Sequence, residues 1–426
     1  MTTPNPVRRL LDVDAVRGFA LFGIFVVNVT FMASGYPGNL ATDPDFDSGL
    51  DDAVRTLSSV FVDMKFYVLF SFLFGYSFTL QMVAASRAGA AFPARMLRRI
   101  GGLFVLGALN AVFLYGGDIL TTYAVACLAL LLLRNVQDRT AIRIAVGLYA
   151  LVLVSLVASA VFVDRSAFLP SETEALANGE EATRALLGGW ESNIGEHIAG
   201  LPLLLIQAVA LQGPTALGLF LLGMVAGRRQ WLSRVSGSEP VLRRLQWVGF
   251  PVGLLGSIVY AASGGNGNTL GVAASVATAP LLAAAYVATL LRVMHGARTA
   301  AVRAALAPAG RMALTNYLGQ SMVGLLTFTG IGLGLAGTFS PLALVAFALA
   351  VFGAQLLVSA LWLRWFRYGP VEWALRWLTN ARRPAFVVLP AGPEAATVPS
   401  HLDPVHADAV PPADQSGSGL RQPEPR

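Results

Sequence analysis

The chain has 426 residues, 55% hydrophobic and only 13% charged, with a mean hydropathy of +0.63, against about 25% charged residues in an ordinary soluble domain. That excludes a conventional soluble protein, and apolar runs such as 18–29, 201–211 and 344–363 approach the roughly 20 residues a helix needs to cross a hydrocarbon core, so a polytopic membrane protein remains. The formal charge of +6 does not indicate nucleic acid, because nearly every cation is an arginine in a short loop, where it reads as a topology signal, and the single cysteine, Cys127, excludes an internal disulfide and a thiolate metal site.

In chain order, apolar windows between polar breaks predict an all-α bundle of ten spans, near residues 15–33, 58–83, 100–115, 119–133, 143–163, 200–227, 247–263, 270–291, 312–334 and 341–363. The third and fourth are short and separated only by Gly116, Gly117 and Asp118, which predicts a tight hairpin. Loop charges alternate along this count. Arginines collect around Arg8, at Arg87 to Arg99, Arg134 to Arg143, Arg228 to Arg244, Arg292 to Arg311 and Arg364 to Arg383, which marks those segments as cytoplasmic. The intervening loops carry Asp43, Asp45, Asp47, Asp51 and Asp52, then Asp164 and a series of acids from Glu172 to Glu196, and face outward. Both termini are therefore expected inside, with residues 1–14 as a cytoplasmic N-terminus and 15–383 as the membrane domain. No cleavable signal peptide is expected, because the first apolar run lacks a small-residue cleavage site. Residues 171–197 mix acids with Leu176, Leu186, Leu187, Trp190 and Ile194 and predict an amphipathic helix on the outer surface. A juxtamembrane helix is expected near 368–380, and the Pro/Ala/Ser/Asp-rich residues 389–426 as a disordered cytoplasmic tail.

Ionisable and amide residues inside spans are costly and are functional candidates by default. Arg17 opens the first span, with Asp14 three residues before it and Asn28 eleven after it, about 16 Å higher on nearly the same face. Snorkelling to headgroups is the alternative for Arg17. Asp63 and Lys65, the only lysine of the chain, lie in the outer third of the second span, where a structural ion pair of Lys65 with Asp63 or Asp118 is the alternative to chemistry. Asn110 and Asp118 complete this outer group, and for Asp118 a helix cap is as good a reading as catalysis. Arg311, Asn316 and Gln320 begin the ninth span, the two amides sharing a face at i,i+4. With Arg17 they form an inner layer, or else interhelical glue. Gln207 and Gln212 flank Gly213-Pro214, which predicts an interrupted helix that either borders a lumen or is buried in protein. His197, His295, His401 and His406 all fall outside the spans, and HExxH, P-loop and Gly-x-Ser-x-Gly motifs are absent from the sequence, which removes support for zinc protease, nucleotide motor and serine hydrolase readings.

Five stretches carry a resemblance: Arg9 to Asn28 (RLLDVDAVRGFALFGIFVVN), Lys65 to Gly75 (KFYVLFSFLFG), Gly117 to Leu120 (GDIL), Gly310 to Ser321 (GRMALTNYLGQS) and Phe366 to Trp373 (FRYGPVEW). In this order they resemble the domain-of-unknown-function 418 family of bacterial membrane proteins, over about residues 9 to 383. The Leu-Asp…Arg-Gly opening is also similar to that of membrane acyltransferases, including acyltransferase family 3 and the heparan glucosaminide acetyltransferases. That resemblance implies transfer of an acyl group from cytoplasmic coenzyme A to an acceptor at or across the membrane. Such relatives often carry histidine in the third span where Asn110 stands here. Asparagine is no general base, so the role passes to Asp118 or another carboxylate, or the reaction is lost. On this reading Asp118, Lys65 and Asp63 are catalytic, with Lys65 paired to Asp63. Arg17, Asn28, Arg311, Asn316 and Gln320 bind donor or substrate, with the arginines on the coenzyme A phosphates. No metal and no covalent cofactor are expected, and acyl-coenzyme A is the co-substrate. The partners are the lipid bilayer and an unidentified acceptor, and the expected location is the bacterial plasma membrane. A transporter for a small solute or lipid is the alternative reading, and a non-catalytic membrane scaffold the third.

Overall fold

The computed structural model describes residues 6–164, 170–232, 238–296 and 299–387. The tail expected over 389–426 lies outside them. The described chain is helical, with no β-strand and one isolated antiparallel bridge, Phe366–Val387. Its α-helices are α1 Pro6–Ala33, α2 Gly49–Phe61, α3 Lys65–Arg87, α4 Phe92–Phe113, α5 Leu120–Leu132, α6 Asp138–Phe162, α7 Glu172–Leu186, α8 Trp190–Gln207, α9 Gly213–Arg228, α10 Glu239–Ala262, α11 Thr269–His295, α12 Ala300–Arg311, α13 Ala313–Phe328, α14 Pro341–Trp365 and α15 Pro370–Asn380.

Among the described residues eight helical segments are long and apolar enough to cross a membrane: Leu11–Ala33, Gly49–Arg87, Phe92–Phe113, Asp138–Phe162, Trp190–Arg228, Glu239–Ala262, Thr269–His295 and Pro341–Trp365. The fourth and ninth expected spans fall short. The 13 residues of α5 and the 16 of α13 reach about 20 and 24 Å at 1.5 Å per residue, below the roughly 30 Å of a hydrocarbon core.

Three local departures from the sequence pattern have physical causes. The second expected span is two helices, because α2 stops at Phe61 and Met64 takes a positive φ of 68°, an orientation that ends one helix and redirects the next. Gly213-Pro214, by contrast, does not interrupt its helix. A π-helical turn over Ala208–Gln212 lets the Gly213 N–H reach the Ala208 carbonyl, and Pro214 then sits in the first turn of α9, where its missing donor is tolerated. The acidic stretch divides at Gly188-Gly189: α7 is opened by a Ser171–Glu174 capping box that draws the exposed Glu174 carboxyl below its usual range, and Trp190 begins the next long helix.

Small residues set the closest crossings, as they do where helices pack without a hydrophobic driving force between them. A Cβ on Gly310 of α12 would overlap the Asp14 carbonyl of α1, and one on Gly75 of α3 would overlap the Phe220 backbone of α9. The buried core between α3, α5 and α9 is aromatic: Phe74 stacks on Phe220 with ring centroids 4.6 Å apart, and Tyr123 stands edge-on to both.

Candidate functional site

Polar side chains gather at two depths. At the arginine-rich end, Arg17 of α1 donates to Asp14 Oδ1 at 2.7 Å, to Ser77 Oγ of α3 at 2.7 Å and to the Gly310 carbonyl of α12 at 3.3 Å. Its guanidinium thus ties three helices together. Arg311 is exposed and donates to the Arg367 carbonyl at 3.3 Å. Arg99 of α4 has its Nε buried without a hydrogen-bond partner, within electrostatic reach of Arg17, Glu372 and Arg376. Glu372 of α15 accepts from Leu314 N at 2.6 Å, from Thr315 N at 3.0 Å and from Thr315 Oγ1 at 2.5 Å. It therefore caps the first turn of α13 from another helix, where unpaired N–H groups and the helix dipole both favour a carboxylate.

Climbing α13 from that cap, the amides join helices. Asn316 Nδ2 donates to the Ala309 carbonyl at 3.1 Å and to Ser359 Oγ of α14 at 3.0 Å. Gln320 Nε2 donates to Gln355 Oε1 at 2.9 Å, and Gln355 Nε2 to the Asn316 carbonyl at 2.9 Å. These bonds tie α13 to both α12 and α14.

The second depth centres on the α4–α5 hairpin. Twelve residues separate Leu120 from the far end of α5, so Asp118 stands about 18 Å from the arginine-rich level. The hairpin tip is packed among the helices, with Tyr115 and Asp118 buried. His197 of α8 covers it: a Cβ on Gly116 would lie 3.2 Å from the imidazole, whose Nδ1 meets the Val112 carbonyl at 3.0 Å. Asp118 is 8% exposed. Its Oδ2 accepts from Thr121 N and Thr121 Oγ1, both at 2.9 Å, and its Oδ1 accepts from Asn110 Nδ2 at 3.0 Å and from Tyr317 OH of α13 at 3.5 Å. The Thr121 contacts are those of a helix cap. The other two bring α4 and α13 onto the same carboxylate.

Lys65 and Asp63 lie elsewhere. Lys65 is fully buried and donates to the Ser59 carbonyl at 2.8 Å, with Asp63, which accepts from the Ser59 hydroxyl, in electrostatic reach. No close ion pair joins the two. Tyr67, Phe70, Ser71 and Phe74 make the stripe of α3 that meets Tyr123 of α5, with Ser71 Oγ 2.6 Å from the Tyr123 hydroxyl. At about 100° per residue Lys65 falls on the opposite face of α3. The sequence grouped Lys65 with Asp118 by depth; α3 separates them by azimuth. Asn28 is half-buried and makes no side-chain hydrogen bond among the described residues, Gln207 is exposed, and Gln212 offers its backbone carbonyl to the Tyr67 hydroxyl. No cluster of His, Cys, Asp or Glu suited to a metal occurs among the described residues.

Sequence reasoning assigned no role to Arg99, Thr121, Glu372, Tyr317, Ser321 or Gln355. Only the Asp118–Thr121 spacing carries a local signal, the i,i+3 geometry of a cap. The Glu372–Thr315 cap joins residues 57 apart, and no periodicity announces it.

A many-spanned helical membrane protein with buried polar residues at two depths is the class that this architecture defines. The chain belongs to the DUF418 family: the family model described as "Protein of unknown function (DUF418)" matches residues 226–382, the stretch that contains both the Gly310–Ser321 and Phe366–Trp373 motifs. It is 30% identical over 385 residues to the uncharacterized protein YxaH of Bacillus subtilis (strain 168), covering 86% of this chain and 93% of that protein. It is 27% identical over 375 residues to an uncharacterized 39.9 kDa protein of Bacillus acidopullulyticus, covering 88% and 95%, and 27% identical over 395 residues to the uncharacterized protein YeiB of Escherichia coli (strain K12), covering 88% and 97%.

Proposed function

We propose that this protein is a membrane acyltransferase-like enzyme of the bacterial inner membrane, with both termini cytoplasmic, that passes an acyl group from a cytoplasmic coenzyme A thioester to an acceptor hydroxyl at the buried hairpin. In this reading the main chain passes ten times through the membrane region, α5 and α13 as partial crossings. The observation that carries the reading is Asp118: a buried carboxylate, about 18 Å from the arginine-rich end, held by groups of three elements. Its longest contact is the 3.5 Å one from the Tyr317 hydroxyl, and an acceptor hydroxyl takes that place. The acceptor proton passes to Asp118 as the acceptor oxygen attacks the thioester carbonyl; the new C–O bond forms, the C–S bond breaks, and the departing thiolate takes up a proton. At the other end Arg311 and Arg99 meet the coenzyme A phosphates with charge-assisted hydrogen bonds, while Arg17, already bonded to three helices, positions them.

The test is a thermal-shift titration of the protein in nanodiscs with acetyl-coenzyme A, free coenzyme A and a panel of small solutes. Saturable stabilisation by the thioester at micromolar concentration supports the enzyme. Stabilisation by a solute alone supports a second reading, a permease, for which the α2–α3 break beside the buried Lys65 is the supporting observation, because transporters build their midplane sites on discontinuous helices.

A further inference from the structure

Where α10 and α11 cross, an open groove of about 350 Å³ runs between them, lined by Val241, Arg244, Val248 and Gly249 of α10 and by Leu281 and Ala284 of α11. Positions 241, 244 and 248 follow the i,i+3,i+7 stripe of one helix face. Small residues make the groove: a Cβ on Gly249 would lie 2.4 Å from the Leu281 carbonyl oxygen, and Ala284, one turn along α11, fills little of the space beside that crossing. The apolar rim is uncovered, with Val241, Val248 and Leu281 all exposed. Both helices are long and apolar enough to cross a membrane, so such a rim faces acyl chains. One cation at the groove is uncommitted. Arg292 of α11 pairs with Glu239 Oε1 at 2.7 Å and donates to Gln246 Oε1 at 2.5 Å, and Arg243 lies 3.3 Å from the same Glu239 oxygen. Arg244 is exposed and makes no hydrogen bond or ion pair among the described residues. It stands five residues into α10, about 8 Å from the helix end, from where a long side chain snorkels to headgroup level. Trp247, 80% exposed three residues on, is the kind of side chain that membrane interfaces collect. A groove of similar size over residues 153–162 of α6 has no charged residue in its lining.

We infer that the α10–α11 groove is a binding site for a monoanionic phospholipid such as phosphatidylglycerol, with its phosphate on Arg244 and one acyl chain laid along the groove past Gly249 toward Leu281. A guanidinium meets a phosphate through charge-assisted, bidentate hydrogen bonds, and basic pockets between membrane helices on the cytoplasmic side bind anionic headgroups. One uncommitted guanidinium matches one phosphate. A zwitterionic lipid would bring its own ammonium to a helix end that carries three arginines against one carboxylate, whereas a monoanionic lipid brings none. The chain adds packing, which is what holds apolar groups together in a solvent of other chains. Charge therefore selects the headgroup and the groove fixes the tail. A free phosphate would find only an exposed arginine, whose attraction water and salt screen. The site does not depend on acyl transfer and takes from the proposed topology only its leaflet, the inner one.

The test places the full chain in phosphatidylcholine nanodiscs into which phosphatidylglycerol is titrated at constant total lipid, with thermal unfolding as the readout. A phosphatidylglycerol carrying a diazirine in its acyl chain maps the contact by photolabelling, and glycerol 3-phosphate added over pure phosphatidylcholine represents the headgroup without a tail. The melting midpoint should rise with phosphatidylglycerol and saturate, and the photolabel should fall on peptides that contain residues 241–249 or 281–284. Arg244→Gln removes a charge that is bonded to nothing within the protein, so it should melt with wild type in pure phosphatidylcholine while its half-saturating phosphatidylglycerol fraction rises at least threefold. Ala284→Leu fills the groove with Arg244 intact and should cut photolabelling of those peptides at least threefold. A midpoint that climbs in proportion to bulk phosphatidylglycerol without saturating, as for lipid that merely surrounds the protein, overturns the inference. So does an unchanged half-saturation in Arg244→Gln, labelling of residues 153–162 as strong as that of the groove, or equal stabilisation by glycerol 3-phosphate.

Discussion

Replacing Glu372 by alanine removes the three hydrogen bonds that close the first turn of α13, at 2.6, 3.0 and 2.5 Å. A hydrogen bond to a charged group contributes about 1.5–3 kcal/mol when deleted singly, whereas loss of a whole N-cap costs about 0.5–2 kcal/mol. The three contacts share one half-buried carboxylate and do not add, and the released N–H groups of Leu314 and Thr315 belong to the first turn of α13, where the helix itself supplies no acceptor. A loss of about 2–3 kcal/mol follows for Glu372→Ala. Glu372→Gln keeps an acceptor for the two N–H groups and forfeits only the charge at the helix terminus, so it should cost about 1 kcal/mol. Thr315→Val removes the hydroxyl partner, and its effect should be smaller in the Glu372→Ala background than in wild type, because the two residues form one unit. Thermal unfolding of the four nanodisc-reconstituted proteins reads all of this. A Glu372→Ala midpoint equal to wild type, or strictly additive losses with Thr315→Val, would refute the assignment of the Phe366–Trp373 motif as a cap.

Gly310→Val should destabilise by at least about 1–3 kcal/mol, because its Cβ would overlap the Asp14 carbonyl; an unchanged melting midpoint contradicts the close α1–α12 crossing. Arg17→Ala should lower stability and weaken acetyl-coenzyme A binding together, through loss of the Ser77 and Gly310 contacts, and a binding titration in which only stability changes removes Arg17 from the donor end. Lys65→Met preserves the side-chain length and discards a buried ammonium with one close partner; transfer activity should persist, and its abolition would place Lys65 in the chemistry despite its position on the far face of α3. Cysteine substitutions at residues 90 and 240 should react with an impermeant thiol reagent only in inverted vesicles, and labelling from outside whole cells would reverse the proposed topology.

Helical class and membrane character were legible because composition and apolar length act over every window of the chain. The spans that fell short were α5 and α13, where hydropathy continues past a turn that geometry imposes: Gly116-Gly117 before α5, and the Thr329–Gly334 turns after α13, in which Gly332 N bonds the Thr329 carbonyl. Pro214 misled in the opposite sense, because a π-turn absorbs its missing donor one turn earlier. At the candidate site depth could be read and azimuth could not. Counting residues set Lys65 and Asp118 at comparable heights, yet which face of α3 meets α5 is decided by the Tyr67–Phe74 stripe packing on Tyr123, a tertiary choice. The roles of Asn316 and Gln320 likewise depended on Ser359 and Gln355, about 40 residues away along the chain and drawn close only by helix packing.

The most direct test of the two-depth enzyme is Asp118→Asn in nanodiscs with radiolabelled acetyl-coenzyme A and a panel of hydroxyl-bearing acceptors. Asparagine keeps the shape of the side chain and an oxygen for Thr121 but cannot take a proton from the acceptor. The account predicts thioester binding within twofold of wild type and acetyl transfer reduced at least a hundredfold. Undiminished transfer by a folded Asp118→Asn protein would contradict it, and would leave Asp118 as no more than the cap of α5.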